Sequence, residues 1–307
     1  MKKKKISILF TVLCITGCNA QYEITTDFTF KDDNVKIIDS LESINSEKAH
    51  IVFLYGQSNA DGASSIEYLR KKDQSIFEEY SAGYENVFIN FVNDGGNTSS
   101  NYAFQKCTLG CGYNSDCFGP ENGIADEMHK AFPNEKTFII KWTWGGTVLR
   151  NQWLDNHHHR GELYNSAMDF SLKCLDYLLS KGYQLSLDGI CWMQGESDSF
   201  DANKEAYYRD TISLVSAFRL DFAKYQKEIK FIDAAINDQK GMWQHPEVVN
   251  NGKKRFADES DLNYFIDTNK LGIVTSTEPE ENIDYAHYDS LSMVKLGQEF
   301  GKIAANN

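Results

Sequence analysis

The run "HIVFLYG", residues 50–56, is apolar at nearly every position and stops at a glycine. Five further runs share its character: "NVFINFV" (86–92), "KTFIIKW" (136–142), "LDGICWMQ" (187–194), "IKFIDAAI" (229–236) and "LGIVTS" (271–276). A strand with one wet face alternates polar and apolar positions, whereas continuous apolar runs predict strands covered on both faces. Between these runs lie segments of helical spacing: "GIADEMHKAF" (123–132), "LYNSAMDFSLKCLDYLLSKG" (163–182), "ANKEAYYRDTISLVSAFRLDFAKYQ" (202–226) and "SMVKLGQEFGKIAA" (292–305). In the third, Tyr207, Ile212, Val215, Phe218 and Phe222 approximate one helical face. Strands alternating with helices predict an α/β fold with a mainly parallel sheet between helical layers. With only four prolines and no repeat or low-complexity linker, the pattern predicts one domain over 47–307. Open sheets of this kind bind ligands beyond the carboxyl ends of their strands, so function is to be sought there.

The start of the chain reads differently. "MKKKKISILFTVLCITGCNA" has four lysines, a short apolar run and then small residues, the pattern of a secretory signal peptide over 1–17. Ile15-Thr16-Gly17-Cys18 resembles a bacterial lipobox, with Cys18 as the lipidated residue. A plain signal peptide is the alternative. Residues 18–46 are polar and mixed, the expected tether and N-terminal arm. The protein is therefore expected in a bacterial cell envelope, held by lipid on the periplasmic or outer side, or secreted if the lipobox is not used. No later segment is apolar for long enough to span a membrane. A net charge of −13 argues against nucleic acid as a partner.

Five cysteines remain beyond Cys14 and Cys18. Cys107, Cys111 and Cys117 sit in the glycine-rich "KCTLGCGYNSDC", and Cys174 and Cys191 in apolar surroundings. An exported compartment permits disulfides, so a bridge within this loop is expected, its partners open. Zinc is disfavoured because the spacing lacks a second matching pair and no histidine lies near the cluster before His129. "HHHR" (157–160) reads as a solvated or substrate-side loop, and His245 has no assignment. No metal or cofactor is expected.

Three strand ends carry chemistry. Ser58 follows the first run in "GQSN"; Gly56 allows a sharp turn, and the start of a helix there would present backbone N–H groups. An N-cap serine is the alternative use. The pattern lacks the second glycine of a G-x-S-x-G elbow, because Ala60 stands in its place. The third run exits through "WTWGGT", where Gly145 and Gly146 allow a backbone N–H to approach a cleft, or make an ordinary tight turn. The fourth exits through "QGESD". Gln194 shares a strand face with Trp192 and Ile190 and carries a neutral amide donor suited to a developing oxyanion. Near the far end, Asp284 and His287 stand three apart in "IDYAHYD", before the last helix. An aspartate orienting an imidazole that faces a serine is the nucleophile–base–orienter arrangement of acyl transfer.

Taken together, "GQSN" (56–59), Gly145-Gly146-Thr147 with Trp153 nearby, "QGESD" (194–198), Asp284-x-x-His287 and "FGPENGIADEM" (118–128) resemble the SGNH-hydrolase superfamily. More narrowly they resemble its sialate O-acetylesterase and acetylxylan esterase group, carbohydrate esterase family six, over about residues 48–305. The resemblance implies a flavodoxin-like three-layer α/β/α sandwich and a serine esterase that removes O-acetyl groups from carbohydrate without a metal. It implies Ser58 as nucleophile, His287 as base and Asp284 as its partner. The Ser58 N–H, a Gly145 or Gly146 N–H and the Gln194 side chain would form the oxyanion hole. Gln57, Asn59 and Glu196 would support the nucleophile loop. In the wider superfamily an asparagine usually fills the role that Gln194 would take in this chain, and the three-cysteine segment has no recognised counterpart. Trp142, Trp144, Trp153 and Trp243 are candidate sugar platforms, with Trp153 or Trp243 expected to touch substrate. The competing readings are a glycan-binding lipoprotein without turnover and a lipid esterase of the same superfamily.

Overall fold

In the computed structural model, which describes Phe28 and residues 35–200, 204–237, 241–275 and 277–306, strand β1 (Glu47–Gly56) forms the spine. From Ala49 onward every β1 residue is buried, as expected for a strand with helices on both sides. The signal peptide, Cys18 and most of the arm lie outside the described residues.

After β1 the chain forms α1 (Ser58–Asp61), β2 (Ser64–Ser65), α2 (Ile66–Lys72), α3 (Gln74–Ala82) and β3 (Val87–Asn93). Short strands β4 (Thr98–Ser99), β5 (Gln105–Lys106) and β6 (Cys117–Phe118) lead to α4 (Glu121–Ala131) and β7 (Lys136–Thr143). Then come α5 (Glu162–Ser180), β8 (Tyr183–Met193), α6 (Tyr207–Phe222), β9 (Phe231–Ala234), α7 (Pro246–Ala257), β10 (Asn263–Ile266) and α8 (Ser290–Ala305).

The main sheet runs in the order β10-β9-β8-β1-β7-β3, all parallel, with β4 and β5 antiparallel on the outer edge of β3. β1 pairs with β7 on one side and β8 on the other along nearly its whole length. The chain builds the β3/β7 side first and then crosses to build β8, β9 and β10. That reversal opens a crevice at the carboxyl end of β1, where α/β sheets bind ligands. Ser58 stands there.

Helices cover both faces. On one, Phe53 stacks on Phe222 and Tyr55 on Phe218, and the Tyr55 hydroxyl bonds Ser171 Oγ of α5 at 2.7 Å. On the other, α4 and α8 cross at a contact that admits only glycine. A Cβ on Gly297 would meet the Pro120 carbonyl at 2.2 Å, and one on Gly123 the Gln298 nitrogen at 2.5 Å. This contact fixes the start of α8, from which the His287 loop hangs.

Two expectations need correction. "LGIVTS" is not the sixth strand; that strand is β10, in "NYFI". Ile273 is fully buried in a loop, its carbonyl accepting from the Asn237 amide and the following N–H of Val274 donating to Ser292 Oγ. The expected loop disulfide is absent, and all five described cysteines are free thiols. Cys107 and Cys111 are buried as small apolar side chains, Cys107 Sγ facing the Glu121 carbonyl at 3.8 Å. Part of the arm is docked: the backbone N–H groups of Ser40 and Leu41 donate to the Tyr177 hydroxyl, and Ser40 Oγ accepts from Phe104 N–H.

Gly297→Ala should lower unfolding stability by about 1–3 kcal/mol, the usual cost of overpacking. Denaturant titration followed by circular dichroism checks this; an unchanged midpoint would mean that α4 and α8 can separate freely.

Candidate active site

Gly56 ends β1 with φ +145°, and a Cβ there would sit 2.0 Å from the Met193 carbonyl of β8. Gln57 follows, fully buried. Its N–H donates to Met193 O at 3.0 Å, and its Oε1 accepts from Gln194 Nε2 and Gly195 N–H, each at 3.3 Å. The first and fourth predicted strand ends are thereby bonded to each other, and Ser58 opens α1 directly beside them.

Asn59 does the joining to the far end of the chain. Its Nδ2 donates to Glu196 Oε1 at 2.7 Å and to the Ala286 carbonyl at 3.2 Å, while its Oδ1 accepts from Tyr288 N–H at 3.1 Å. One side chain therefore grips the backbone on both sides of His287. The His287 Nδ1 bonds Asp284 Oδ2 at 2.6 Å, leaving Nε2 as the ring's second functional nitrogen.

The loop carrying this pair is closed on itself. Asp289 Oδ2 accepts the N–H (3.1 Å) and hydroxyl (2.5 Å) of Thr277; Glu278 accepts the N–H (2.7 Å) and hydroxyl (2.8 Å) of Ser290 at the start of α8. Asp284 N–H donates to Glu278 O at 3.0 Å.

Burial alone would lower the His287 pKa, but the Asp284 hydrogen bond, the Asp284 charge and the charge of Glu196 outweigh it, so the net shift is upward from 6.5. Burial raises the Asp284 carboxyl while His287 lowers it further, and the net shift is downward. Glu196 is buried and raised by desolvation, which its bond from Asn59 only partly offsets.

The Gly145-Gly146 turn flanks the serine: a Cβ on Gly145 would begin 3.6 Å from Ser58 Cβ. The Gly145 N–H donates to Asp94 Oδ1 at 2.8 Å. Gly146 has φ +68°, and its N–H meets no acceptor among the described residues.

Gln194 departs from expectation. It is fully buried, its Nε2 donating to the Thr147 carbonyl at 2.8 Å and to Asp198, and its Oε1 accepting from the Tyr207 hydroxyl at 3.0 Å. Both amide hydrogens are engaged in holding the Gly-Gly turn to the β8 exit. Gln194 is thus a strut between loops, not an oxyanion donor.

The tryptophan expectation also fails. Trp153 is 0% exposed and packed edge-on against Trp142 and Trp192, and Trp243 is 4% exposed beside Phe200. The exposed aromatics near the crevice are Tyr285, between Asp284 and His287, and Tyr113 of the three-cysteine segment, each 39% exposed. In "HHHR", His158 bonds Asp210 and His159 bonds Asp155, both histidines exposed. His245 lies 3.6 Å from Glu247. No group of three or more His, Cys, Asp or Glu residues among those described is arranged to hold a metal ion.

Sequence reasoning missed Asp94 and Asp61, which meet behind Gly145, and two buried lysines. Lys141 Nζ donates to Asp61 O, Cys111 O and Glu121 Oε2 at 2.7–2.9 Å; Lys253 Nζ donates to Gln194 O, Asp233 Oδ1 and Ala234 O at 2.5–2.9 Å. The run "VNDGG" (92–96), which ends β3 and leaves it, was a readable fourth strand end. Nothing in the sequence marks the lysines as buried.

Residues 48–306 match the family model of the carbohydrate esterases described as sialic acid-specific acetylesterase. The chain belongs to this family. It is a carbohydrate O-acetylesterase. A search of the curated proteins by sequence finds no match. Among solved structures, this acetylesterase is similar in fold to an Arabidopsis thaliana protein, with TM-score 0.62, 15% identity, and 84% of this chain and 98% of that one covered. It is similar also to NanS, with TM-score 0.60, 14% identity, and 85% and 98% covered. A carbohydrate acetylesterase from Xanthomonas citri superposes with TM-score 0.55 at 13% identity, covering 84% of this chain and 55% of that one.

Titrating His287 by NMR should give a pKa above 6.5 in the acetylesterase, and Asp284→Asn should move it down, because the largest raising influence is removed. A pKa that stays in place in the variant would disconnect the pair.

Proposed function

We propose that this acetylesterase works through a serine nucleophile, with Ser58, His287 and Asp284 as its reacting set and an O-acetylated glycan as substrate. The observation that carries the reading is the grip of Asn59 on Ala286 and Tyr288, which holds the Asp284-paired imidazole beside the nucleophile's own loop. His287 Nε2 takes the Ser58 hydroxyl proton as Oγ attacks the acetyl carbonyl. The imidazolium then returns that proton to the sugar oxygen as the ester bond breaks. Water, deprotonated by the same nitrogen, attacks the acetyl-serine, and acetate leaves with Ser58 Oγ reprotonated.

The donors to the oxyanion are the N–H groups of Ser58 and Gly146. Gly145 is set aside because its N–H is already engaged by Asp94. Tyr285 and Tyr113 offer exposed ring faces of the kind on which sugars pack. The family's description favours acetylated sialic acid over acetylated xylan as the glycan. The buried setting around Ser58 is rich in amides and carboxylates, which supports a small acyl group rather than a lipid chain.

Full-length protein should release acetate from 4-nitrophenyl acetate, acetylated sialic acid or acetylated xylan. Ser58→Ala should lose on the order of 10⁴-fold or more in kcat while unfolding as the wild type does. Because neutral His287 is the base and its pKa is raised, activity should climb with pH through a midpoint above 6.5. Retained turnover in Ser58→Ala would sink the serine mechanism; glycan binding without turnover in the wild type would favour a binding protein.

We further propose that the enzyme works in the cell envelope, tethered by lipid at Cys18. The support is the lysine-rich apolar start and the Ile15–Cys18 pattern. On detergent phase separation the wild type should enter the detergent phase and Cys18→Ala the aqueous phase; equal partition would remove the anchor.

A further inference from the structure

Behind Gly145 lie two carboxyl groups that the mechanism above does not use. Asp94 follows β3, and Asp61 ends α1, three residues after Ser58. The two carboxyl groups lie against each other in the interior and interact directly. Two ionised carboxylates in contact repel, and neither has a donor; one proton between them turns the contact attractive. The surroundings agree. Thr143 donates its hydroxyl to Asp61 Oδ1, while Asp61 Oδ2 is buried and meets no N–H or O–H donor among the described residues. The backbone is bent to make the meeting possible. Asp94, Gly95 and Gly96 have φ +44°, +63° and +93°, three successive residues in the left-handed region, the first of them not glycine. What the bend achieves is visible at the free end of Asp94. Its Oδ1 accepts the Gly145 N–H at 2.8 Å, and a Cβ on Gly145 would lie 3.6 Å from that oxygen and equally 3.6 Å from Ser58 Cβ.

We propose that Asp94 is a positioning residue of the esterase site: a proton shared with Asp61 locks its carboxyl in the orientation that holds the Gly145–Gly146 turn against Ser58. The assignment of a catalytic task to that turn rests on the serine-esterase reading; the shared proton does not. Acting through Gly145, Asp94 sets where the Gly146 N–H stands relative to the acyl oxygen. Loss of the proton puts two like charges in contact, and the turn loses its anchor.

The other groups facing the pair are few. Tyr113, from the three-cysteine segment, feels both carboxyls. Lys141 of β7 and Glu121 of α4 act on Asp61 with opposite sign. Burial pushes Asp61 well above the ordinary carboxylate range, with the Asp94 charge adding to it, and burial raises Asp94 as well. A raised acid favours the folded state at low pH, and that advantage is lost as pH rises through the folded-state value.

Asparagine at position 94 separates the proton from the shape. In Asp94→Asn the side-chain oxygen can still accept the Gly145 N–H, while the NH₂ group donates to an ionised Asp61 with no titrating proton. On 4-nitrophenyl acetate at neutral pH, Asp94→Ala should lose on the order of 10²-fold in kcat with KM little changed, the usual consequence of a misplaced donor. Asp94→Asn should keep kcat within a few-fold of wild type and lack the alkaline decline expected of wild type. Stability gives a second readout free of the reaction. In denaturant titrations from about pH 5 to about pH 9, wild type should lose stability relative to Asp94→Asn as pH rises above the ordinary carboxylate range. Wild-type kcat in Asp94→Ala would overturn the proposal. So would Asp94→Asn as damaged as Asp94→Ala, because a negative charge and not a shared proton would then be the requirement. Should wild type itself hydrolyse no ester, the serine reading fails on its own, and parallel stability curves for wild type and Asp94→Asn would overturn the shared proton independently.

Discussion

The carbonyl of Met193 lies where a side chain on Gly56 would have to begin, at 2.0 Å from the Cβ position, and much of the site follows from that contact. It lets β1 and β8 leave the sheet side by side. Gln57 can then donate to Met193 O and accept from the backbone of the β8 exit, welding two strand ends into one surface. Ser58 rises from that surface at the point where the sheet's connections reverse, the one place along a parallel sheet where adjacent loops part and leave a crevice. Any side chain at position 56 would separate the strands and dissolve the surface from which Ser58 projects.

Two buried ammonium groups brace the crevice from either side. An unpaired charge in a protein interior costs several kcal/mol, so each must find a full set of acceptors. Lys141 meets Glu121 and two carbonyls, one of them from Asp61 at the end of α1 and one from Cys111 in the three-cysteine segment. Lys253 meets Asp233 and two carbonyls, one of them from Gln194. Three strongly directed bonds, to three chain segments for Lys141 and to two for Lys253, leave these loops little freedom. The loops carrying Ser58 and Gln194 are thus fixed by electrostatics as well as by packing. Asp233 illustrates the cost: burial raises its pKa to about 6 even with Lys253 against it.

Which parts of this were legible depended on what kind of fact was needed. Continuous apolar runs announced buried strands, and five of the six expected runs became strands of the parallel sheet. "LGIVTS" misled because burial and apolarity belong equally to a loop packed beneath a helix, as Ile273 is; "NYFI", less apolar and on the sheet edge, was passed over. Ser58 stands at the end of β1 and Asp284 and His287 just before α8, and of these three the structure pairs Asp284 with His287 directly. Gln194 was placed on the correct strand end, but sequence does not tell whether an amide's hydrogens are already engaged. Trp153 sits next to the Gly-Gly turn in sequence yet points into the core. The cysteine spacing suggested a bridge, whereas the three thiols are free, two of them buried and Cys117 half-buried. Asp94 was hidden because its meaning depends on Asp61 and Gly145, residues brought to it only by the order of strands in the sheet.

Asn59 shows how such contacts acquire a direction. An amide side chain has two ends, and turning it over exchanges donor for acceptor. With its NH₂ group toward Glu196 and Ala286 O, both contacts are attractive, and its oxygen is left for Tyr288 N–H. Turned over, it would set an oxygen against a carboxylate and a carbonyl and two hydrogens against an N–H. Every contact would then be repulsive. Glu196, buried and with its second oxygen unpartnered among the described residues, therefore acts as an electrostatic key. It fixes the sense of Asn59, and Asn59 fixes the backbone on either side of His287. The same carboxyl, through its charge, adds to the upward shift of the imidazole. A residue that reaches His287 only through Asn59 thus helps to set where the imidazole stands, and its charge adds to what Asp284 does to the imidazole's proton affinity.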